Sequence, residues 1–194
     1  MNIKMRNSRN KLPVILEIEE ASILLDAPNK RYPTGVRNKA MISVMLNMGL
    51  RVSEVSNLKF RDVSINKRKL RVVNGKNGKD RDLVIPGYTL ELLTNWIEVR
   101  LESDYFFTTL DGSKVGTRYI QDMVGRYRER SEIDKNVTPH TLRHTFATQF
   151  YRQIKDIETL RKILGHSDIS TTQIYVTLTN IDVEKAMDGF IEIF

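Results

Sequence analysis

Hydrophobic residues recur every three to four positions over most of this 194-residue chain, a spacing that is typical of helices with one buried face. The pattern predicts helices over about 17–25, 36–48, 90–101, 117–130, 140–151, 157–164, 170–175 and 183–191. Pro28 and Pro33 are expected to close the first of these helices. A further short helix should begin at Ser53, whose hydroxyl is suited to cap it, and continue to Leu58.

The spacing changes to period two in the centre of the chain. Residues 63–65, 70–73 and 82–85 alternate in this way, as strands do when one face is buried. Residues 74–80 (Asn-Gly-Lys-Asn-Gly-Lys-Asp) join the last two segments and favour a turn. We therefore predict a mostly α fold of the α+β class, in which many helices accompany one small three-stranded antiparallel β-sheet.

The length suits one domain with short appendages. Residues 1–11 are polar and basic without a periodic apolar face, so we expect a flexible arm or linker there. Residues 12–179 should form the folded domain and residues 180–194 a helical tail. The tail carries an apolar stripe that includes Val183, Phe190 and Phe194, and it should fold back on the domain or dock on a neighbouring subunit.

Composition removes several kinds of chemistry. The chain has no cysteine, which excludes thiol catalysis, zinc-thiolate sites and disulfides. No apolar run approaches the roughly 18 residues that a membrane span needs, and the first residues lack the apolar region of a signal peptide. We accordingly expect a cytoplasmic protein that does not associate with a membrane.

Positive charge is concentrated in the first half of the chain. Residues 1–82 hold 18 Lys and Arg against 8 Asp and Glu, whereas residues 83–194 hold 13 against 16. Segregated positive charge is typical of proteins that bind nucleic acids, although a solvated basic hairpin fits the charge equally well. The candidate contacts to double-stranded DNA are Lys59, Arg61, Lys67, Arg68, Lys69, Lys79 and Arg81.

Six scattered residues carry groups that together can break a phosphodiester without a metal ion. A guanidinium is always charged and binds phosphate oxygens in pairs, so two arginines can clamp a phosphate. A phenol can attack phosphorus if its proton is removed or its oxyanion is stabilised. A lysine in a turn can protonate a leaving oxygen, and histidines can donate to phosphate or act as a base. These candidate catalytic residues are Arg51, Lys76, His140, Arg143, His166 and Tyr175.

The local sequences around these residues carry a family resemblance. They are Gly-Leu-Arg-Val-Ser-Glu-Val at 49–55, Thr-Pro-His-Thr-Leu-Arg-His-Thr at 138–145, Leu-Gly-His-Ser at 164–167 and Ser-Thr-Thr-Gln-Ile-Tyr at 170–175. Four such motifs in this order and at this spacing resemble the catalytic domain of the tyrosine recombinases, the phage integrase family. The resemblance runs from about Leu12 to Tyr175.

The resemblance implies a mechanism and assigns roles within it. Tyr175, nine residues after His166, would form a 3′-phosphotyrosyl link with DNA and release a 5′-hydroxyl. Lys76, rather than Lys79, would protonate that leaving oxygen. His140 would donate to a phosphate oxygen and take the proton of the phenol. Site-specific DNA integration and recombination would then need no cofactor, and the chain would be a monomer in dilute solution and a homotetramer on DNA.

Two other functions stay open beside site-specific recombination. A type IB topoisomerase or a telomere-resolving enzyme uses the same nucleophile, but the spacing from His166 to Tyr175 favours a recombinase. An accessory protein that binds DNA without cutting it belongs to another class, and such a protein has no need of the complete catalytic set.

Metal and nucleotide sites fit the sequence less well. A zinc site at His140 and His144 would need glutamate where Thr141 stands, and Arg143 would place a permanent cation beside the metal. We expect His144 to pack or hydrogen-bond locally. A magnesium nuclease would need clustered carboxylates, but the aspartates at 62, 80 and 82 lie among basic residues that favour salt bridges. The chain also lacks the glycine and Ser/Thr positions of a phosphate-binding P-loop. We predict no metal site.

Overall fold

The computed structural model describes residues 13–73, 80–165 and 172–176. The helices are α1 (Ile18–Asp26), α2 (Pro33–Met48), α3 (Val52–Asn57), α4 (Gly87–Val99), α5 (Thr117–Arg130), α6 (Pro139–Ile154) and α7 (Ile157–Leu164). The strands are β1 (Val63–Ser64), β2 (Lys69–Val72) and β3 (Arg81–Val84), and a turn of 3₁₀ helix at Phe60–Asp62 precedes them. Residues 172–176 are also helical. The predicted fold class is confirmed.

The three strands form one antiparallel sheet in the order β1-β2-β3. Leu70 on the central strand is paired with Val63 on one side and with Leu83 on the other. Leu70, Val72 and Leu83 are buried, so the period-two pattern places one face of the sheet against the helices. The small sheet therefore packs with one face on the helical core.

α2 is the central helix, and it packs most extensively on α4 and α6. It is buried nearly all round, including its polar residues. Arg37 donates to the carbonyl of Thr108 at 2.8 Å, and the Ser43 hydroxyl lies 2.9 Å from that of Thr89. Buried polar groups need such partners, so α2 is fixed by directed bonds as well as by apolar packing.

The starts of α2, α3 and α4 differ from the prediction, and α4 begins at Gly87 rather than at about residue 90. α2 begins at Pro33, three residues early, because proline needs no N–H partner in the first turn and its backbone is already set for a helix. α3 begins after Arg51 rather than at Ser53. The Glu54 carboxylate accepts the backbone N–H of Arg51 at 2.8 Å, and it thereby replaces the serine cap that we expected.

Several predictions fall on residues outside the described ranges. These are the arm at 1–11, the β2–β3 turn with Lys76 and Lys79, the segment with His166, and the tail at 180–194. None of the helices in the described part of the chain is long and apolar enough to cross a membrane.

Candidate active site

Arg51 stands at the start of α3, directly after the turn that ends α2. Gly49 forms this turn with φ of 65°, and a Cβ at that position would lie 2.5 Å from Cδ1 of Phe146. Glycine meets both demands because it has no Cβ and adopts positive φ without strain. The turn leaves the Arg51 side chain 33% exposed, so this arginine is only partly buried.

Arg143 lies one turn into α6 and is buried. Thr138 caps α6 by accepting the N–H of Thr141 at 3.3 Å. The Arg143 guanidinium donates to the carbonyl of Gly49 and, at 2.7 Å, to that of Leu164. Its side chain is only 5% exposed. The end of α2 and the end of α7 therefore fix the second predicted clamp arginine.

Glu54 brings three arginines together. Its Oε1 lies 2.9 Å from Nη1 of Arg51 and 3.0 Å from Nη1 of Arg81. Its Oε2 lies 2.9 Å from Nη2 of Arg81 and 3.9 Å from Nη1 of Arg143. We call these four residues the arginine cluster. One buried carboxylate faces three guanidiniums, so the cluster keeps an excess of positive charge that suits a phosphate.

The C-terminal end of α7 supplies a second set of acceptors to this cluster. Arg51 donates to the carbonyl of Leu164 at 3.3 Å, and Nε of Arg81 donates to that of Ile163 at 2.6 Å. The last carbonyls of a helix carry partial negative charge and lack partners within the helix. Gly165 ends α7 with φ of 64°, and a Cβ there would lie 2.9 Å from Nη1 of Arg81.

The structure gives Arg81 a different place from the exposed DNA contact that the sequence suggested. Its side chain is 9% exposed and binds Glu54 with two parallel hydrogen bonds. Arg81 and Leu83 share the inner face of β3 because strand residues two apart point the same way. Arg81 thus connects the strand after the β2–β3 turn to the arginine cluster.

Tyr175 lies in a small apolar group between α6 and α7. It is 1% exposed and packs with Ala147, Leu160 and Leu164. Its hydroxyl lies 2.9 Å from Nδ1 of His144, which sequence reasoning had expected to interact only locally. The two rings are 5.8 Å apart between centroids and tilted by 49°. The predicted nucleophile is therefore held by a histidine one residue after the buried clamp arginine.

Burial and neighbouring positive charge shift the pKa values of Tyr175 and His144. Burial raises the pKa of the Tyr175 phenol, and the charges of Arg143 and Arg51 oppose that rise. Burial, together with the charges of His140 and Arg143, lowers the pKa of His144. The imidazole is consequently uncharged at neutral pH, while the phenol keeps its proton.

The same two influences act inside the arginine cluster. Burial, with the neighbouring charge of Arg51, lowers the pKa of Arg143 to about 10, so this guanidinium is still a cation at neutral pH. Burial alone would raise the pKa of Glu54, but hydrogen bonds and charge from Arg81 hold it below its ordinary value. Glu54 is therefore ionised near neutrality and balances part of the cluster's charge.

The remaining predicted catalytic residues divide between exposed and undescribed positions. His140 is exposed in the first turn of α6, one turn before His144 on the same helix face. Lys76 and His166 lie outside the described residues. In sequence, Lys76 is close to Arg81 and His166 directly follows Gly165, and both of these neighbours lie at the cluster. The structure thus connects Arg51, Arg143 and Tyr175 through α6 and the end of α7.

The other candidate DNA contacts occupy different environments. Arg61, Lys67 and Lys69 are exposed, and Lys79 lies outside the described ranges. Nζ of Lys59 lies 3.4 Å from the centroid of the Tyr105 ring, a cation–π contact. Arg68 donates to the carbonyl of Ile85 at 3.2 Å, so its guanidinium is partly engaged within the protein.

No group of three or more His, Cys, Asp or Glu side chains within residues 13–73, 80–165 and 172–176 is arranged to hold a metal ion. The aspartates weighed as magnesium ligands include Asp80, whose carboxylate pairs with Arg71 at 2.8 Å. His144, weighed as a zinc ligand, bonds Tyr175 instead.

The arrangement of an arginine cluster and a tyrosine on this mostly helical domain matches a known family. Residues 15–180 match the phage integrase family over most of the chain. The chain belongs to this family, the tyrosine recombinases.

Particular relatives agree with that assignment. The tyrosine recombinase XerD of Staphylococcus epidermidis (strain ATCC 35984) is 33% identical over 187 residues, which are 93% of this chain and 63% of the relative. The crystal structure of XerA recombinase superposes with a TM-score of 0.80 at 33% identity, covering 90% of this chain and 66% of that one. XerH site-specific recombinase, in a post-cleavage complex with its palindromic difH substrate, gives a TM-score of 0.80 at 26% identity, covering 94% and 55%. The chain thus spans less than two thirds of the length of these relatives.

Proposed function

We propose that this chain catalyses site-specific DNA strand exchange through a covalent 3′-phosphotyrosyl intermediate at Tyr175. The observation that carries the proposal is that the same two helices, α6 and α7, hold both the arginines and the tyrosine. Arg143 and the Tyr175 partner His144 are neighbours on α6, and the end of α7 binds both Arg51 and Arg143. A phosphate bound by those arginines would lie near the phenol.

In the cleavage step, the phenol oxygen attacks phosphorus and the bond to the 5′-oxygen breaks. Arg51, the more exposed of the two clamp arginines, would bind a non-bridging oxygen. Arg143, which is buried, adds a second positive charge to the clamp. Removal of one such donor typically lowers the rate about 10²–10³-fold. His140 and His166 donate to the same phosphate, and Lys76 protonates the leaving 5′-oxygen.

Rejoining reverses these steps with a 5′-hydroxyl from another strand. The phosphotyrosyl ester keeps the energy of the broken phosphodiester, so ligation needs no ATP. Fixed guanidiniums supply the positive charge that a metal would otherwise provide in phosphoryl transfer. We therefore propose a reaction that is independent of metal ions and of ATP.

The proposed partner is double-stranded DNA, bound in part by exposed cations beside the sheet. Arg61, Lys67 and Lys69 are exposed and would contact phosphates, which position a protein without reading sequence. Four copies would assemble on two DNA sites, because each strand exchange breaks and rejoins two duplexes. The XerH relative is itself bound to its palindromic difH substrate, and the Tn1549 transposon integrase is in complex with a circular intermediate DNA.

Tyr175 is 1% exposed. A buried oxygen cannot contact a phosphodiester, so the proposal requires DNA binding to open a path to the phenol. Release of the nucleophile would then be coupled to binding, which protects DNA from unwanted cleavage.

The test is covalent capture on nicked duplexes whose central base pairs are randomised. The 194-residue chain should give a denaturation-resistant protein–DNA adduct in EDTA, and Tyr175→Phe should give none. Tyr151→Phe is the matched control because Tyr151 packs beside the same apolar group, and it should form adduct normally. Adduct from Tyr175→Phe, or dependence on an added metal ion, would refute the proposal. Relaxation of any supercoiled plasmid, without sequence preference, would instead favour a topoisomerase.

A further inference from the structure

The contact between His144 and Tyr175 joins a base to the nucleophilic oxygen itself. Nδ1 of His144 lies 2.9 Å from the phenol oxygen, an ordinary hydrogen-bond length. Tyr175 is 1% exposed and His144 is partly buried, so water has limited access to this bond. A hydrogen bond is stronger where water is excluded. The two residues are 31 positions apart, so the bond is a feature of the tertiary fold.

The surroundings of His144 decide which form of its ring is present. Burial, His140 and Arg143 all lower its pKa from the ordinary value of 6.5, so the imidazole is neutral at pH 7. A neutral imidazole has one nitrogen that accepts a hydrogen bond. Burial raises the phenol pKa, so Tyr175 still holds its proton and needs an acceptor. Among the described residues, the charged groups that act on this pair are His140, Arg143 and Arg51. Glu54 and Arg81 act in turn on Arg143.

We propose that His144 is a catalytic residue of this site, because it fixes the Tyr175 hydroxyl and takes its proton as the oxygen attacks phosphorus. The proposal rests on the proposed function. The Tyr175 O–H bond breaks and its proton moves to Nδ1, while an O–P bond forms. The bond from phosphorus to the 5′-oxygen then breaks, and that oxygen leaves with its electron pair and the proton supplied by Lys76.

This assignment changes the role that the sequence suggested for His140. His140 is exposed in the first turn of α6, where helix N–H groups and a histidine both favour an anion. We therefore assign phosphate binding to His140 and proton transfer to His144. Substituting each of the two histidines should therefore change the pH dependence of cleavage in a different way.

The functional test compares the pH dependence of single-turnover cleavage in two variants. The parent rate should rise with pH through a midpoint below 6.5, as the His144 imidazole loses its proton, and then level off. His144→Gln should lower the rate about 10²-fold at pH 7, and its rate should keep rising up to pH 9 because solvent must then remove the phenol proton. His140→Gln should lower the rate at every pH but keep the rise and the plateau, with a midpoint slightly above the parent's because the His140 charge no longer lowers the His144 pKa.

A second readout needs no DNA. In protein labelled with ¹³C at Cζ of tyrosine, the signal that disappears in Tyr175→Phe reports the Tyr175 phenol. In His144→Gln, this signal should shift and titrate at a different pH, whereas in His140→Gln it should titrate almost as in the parent. Thermal melting of each variant shows whether it is folded.

The outcomes separate this inference from the function on which it rests. If the parent forms adduct and His144→Gln is folded with the parent's pH profile and a rate within about twofold, His144 is not the proton acceptor. If the phenol signal is unchanged in that variant, the contact does not hold the phenol in solution. If the parent forms no adduct with any duplex, the proposed function fails, and the phenol titration still tests the His144–Tyr175 bond.

Discussion

The described hydrophobic side chains form two buried groups of unequal size, and the candidate active site is divided between them. The larger group is built around α2. It includes residues of the β-sheet, of α4 and α5, and of the start of α6. The smaller one has four fully buried members, Ala147, Leu160, Leu164 and Tyr175. Arg51 and Arg143 are anchored where the two groups meet, at the ends of α2 and α7.

This difference suggests how the site is organised. The clamp is held by a large core, a buried carboxylate and helix-end carbonyls, so it is preorganised for phosphate before DNA arrives. Tyr175, the proposed nucleophile, packs in the smaller group and bonds to His144, and elements with fewer buried contacts open more easily. A fixed clamp and a releasable tyrosine fit an enzyme whose cleavage must await assembly on DNA.

The largest effect is expected from removing the charge at the centre of the clamp. Glu54→Gln leaves three guanidiniums without their shared carboxylate, and loss of one partner in a buried ion pair costs about 3–5 kcal/mol. Chemical denaturation should show a loss of that order, and adduct formation should fall with it. Glu158→Gln breaks an exposed ion pair with Arg161 and is the matched control, for which we expect little change. Equal effects of the two substitutions would contradict a central role for Glu54.

A pair of leucine truncations tests whether the larger hydrophobic group mainly stabilises the fold and the smaller one mainly positions Tyr175. Leu93→Ala and Leu160→Ala each empty a fully buried site, and such changes cost about 2–5 kcal/mol. We expect the larger loss of unfolding free energy for Leu93→Ala, which lies in the larger group. Leu160→Ala should slow single-turnover cleavage more strongly, because Tyr175 packs with Leu160. The reverse order in the rates would argue that the smaller group does not position the nucleophile.

The smallest expected effect concerns stability in acid. The pKa of Glu54 is held below its ordinary value of 4.5, so its contribution to stability is complete above about pH 4.5 and is lost as pH falls through the lower, folded-state pKa. The difference in unfolding free energy between parent and Glu54→Gln should therefore be constant from pH 7 to about pH 5 and shrink below that. Urea denaturation at several pH values measures it. A difference that stays constant down to pH 3 would show that the Glu54 charge is not its source.

The sequence predicted the elements well and the contacts between them poorly. The bounds of α5 and α7 agree with the predicted helices, because their apolar spacing is regular. Asp156 also caps α7 locally by accepting the N–H of Thr159. The ion pairs of Glu54 with Arg81 and Arg143 span 27 and 89 residues, and no local pattern predicts them. Distances in sequence of that size leave no periodic signal.

Two of the missed contacts had partial signals. Arg81 alternates with Leu83 along β3, and this period placed it on the buried face despite its charge. His144 lies one turn after His140 on the same face of α6, so a role beside the site was open to inference. Its bond to Tyr175 depends on how the 172–176 helix packs against α6, which only the tertiary fold determines.

The most direct measurement of the central claim is the identity of the amino acid that becomes linked to DNA. Adduct captured on a nicked duplex would be digested with nuclease and protease, and mass spectrometry would locate the nucleotide on the peptide. The account predicts a 3′-phosphoryl nucleotide on the peptide that contains Tyr175, and on no other tyrosine. A nucleotide on Tyr151, Tyr127 or any other residue would contradict it.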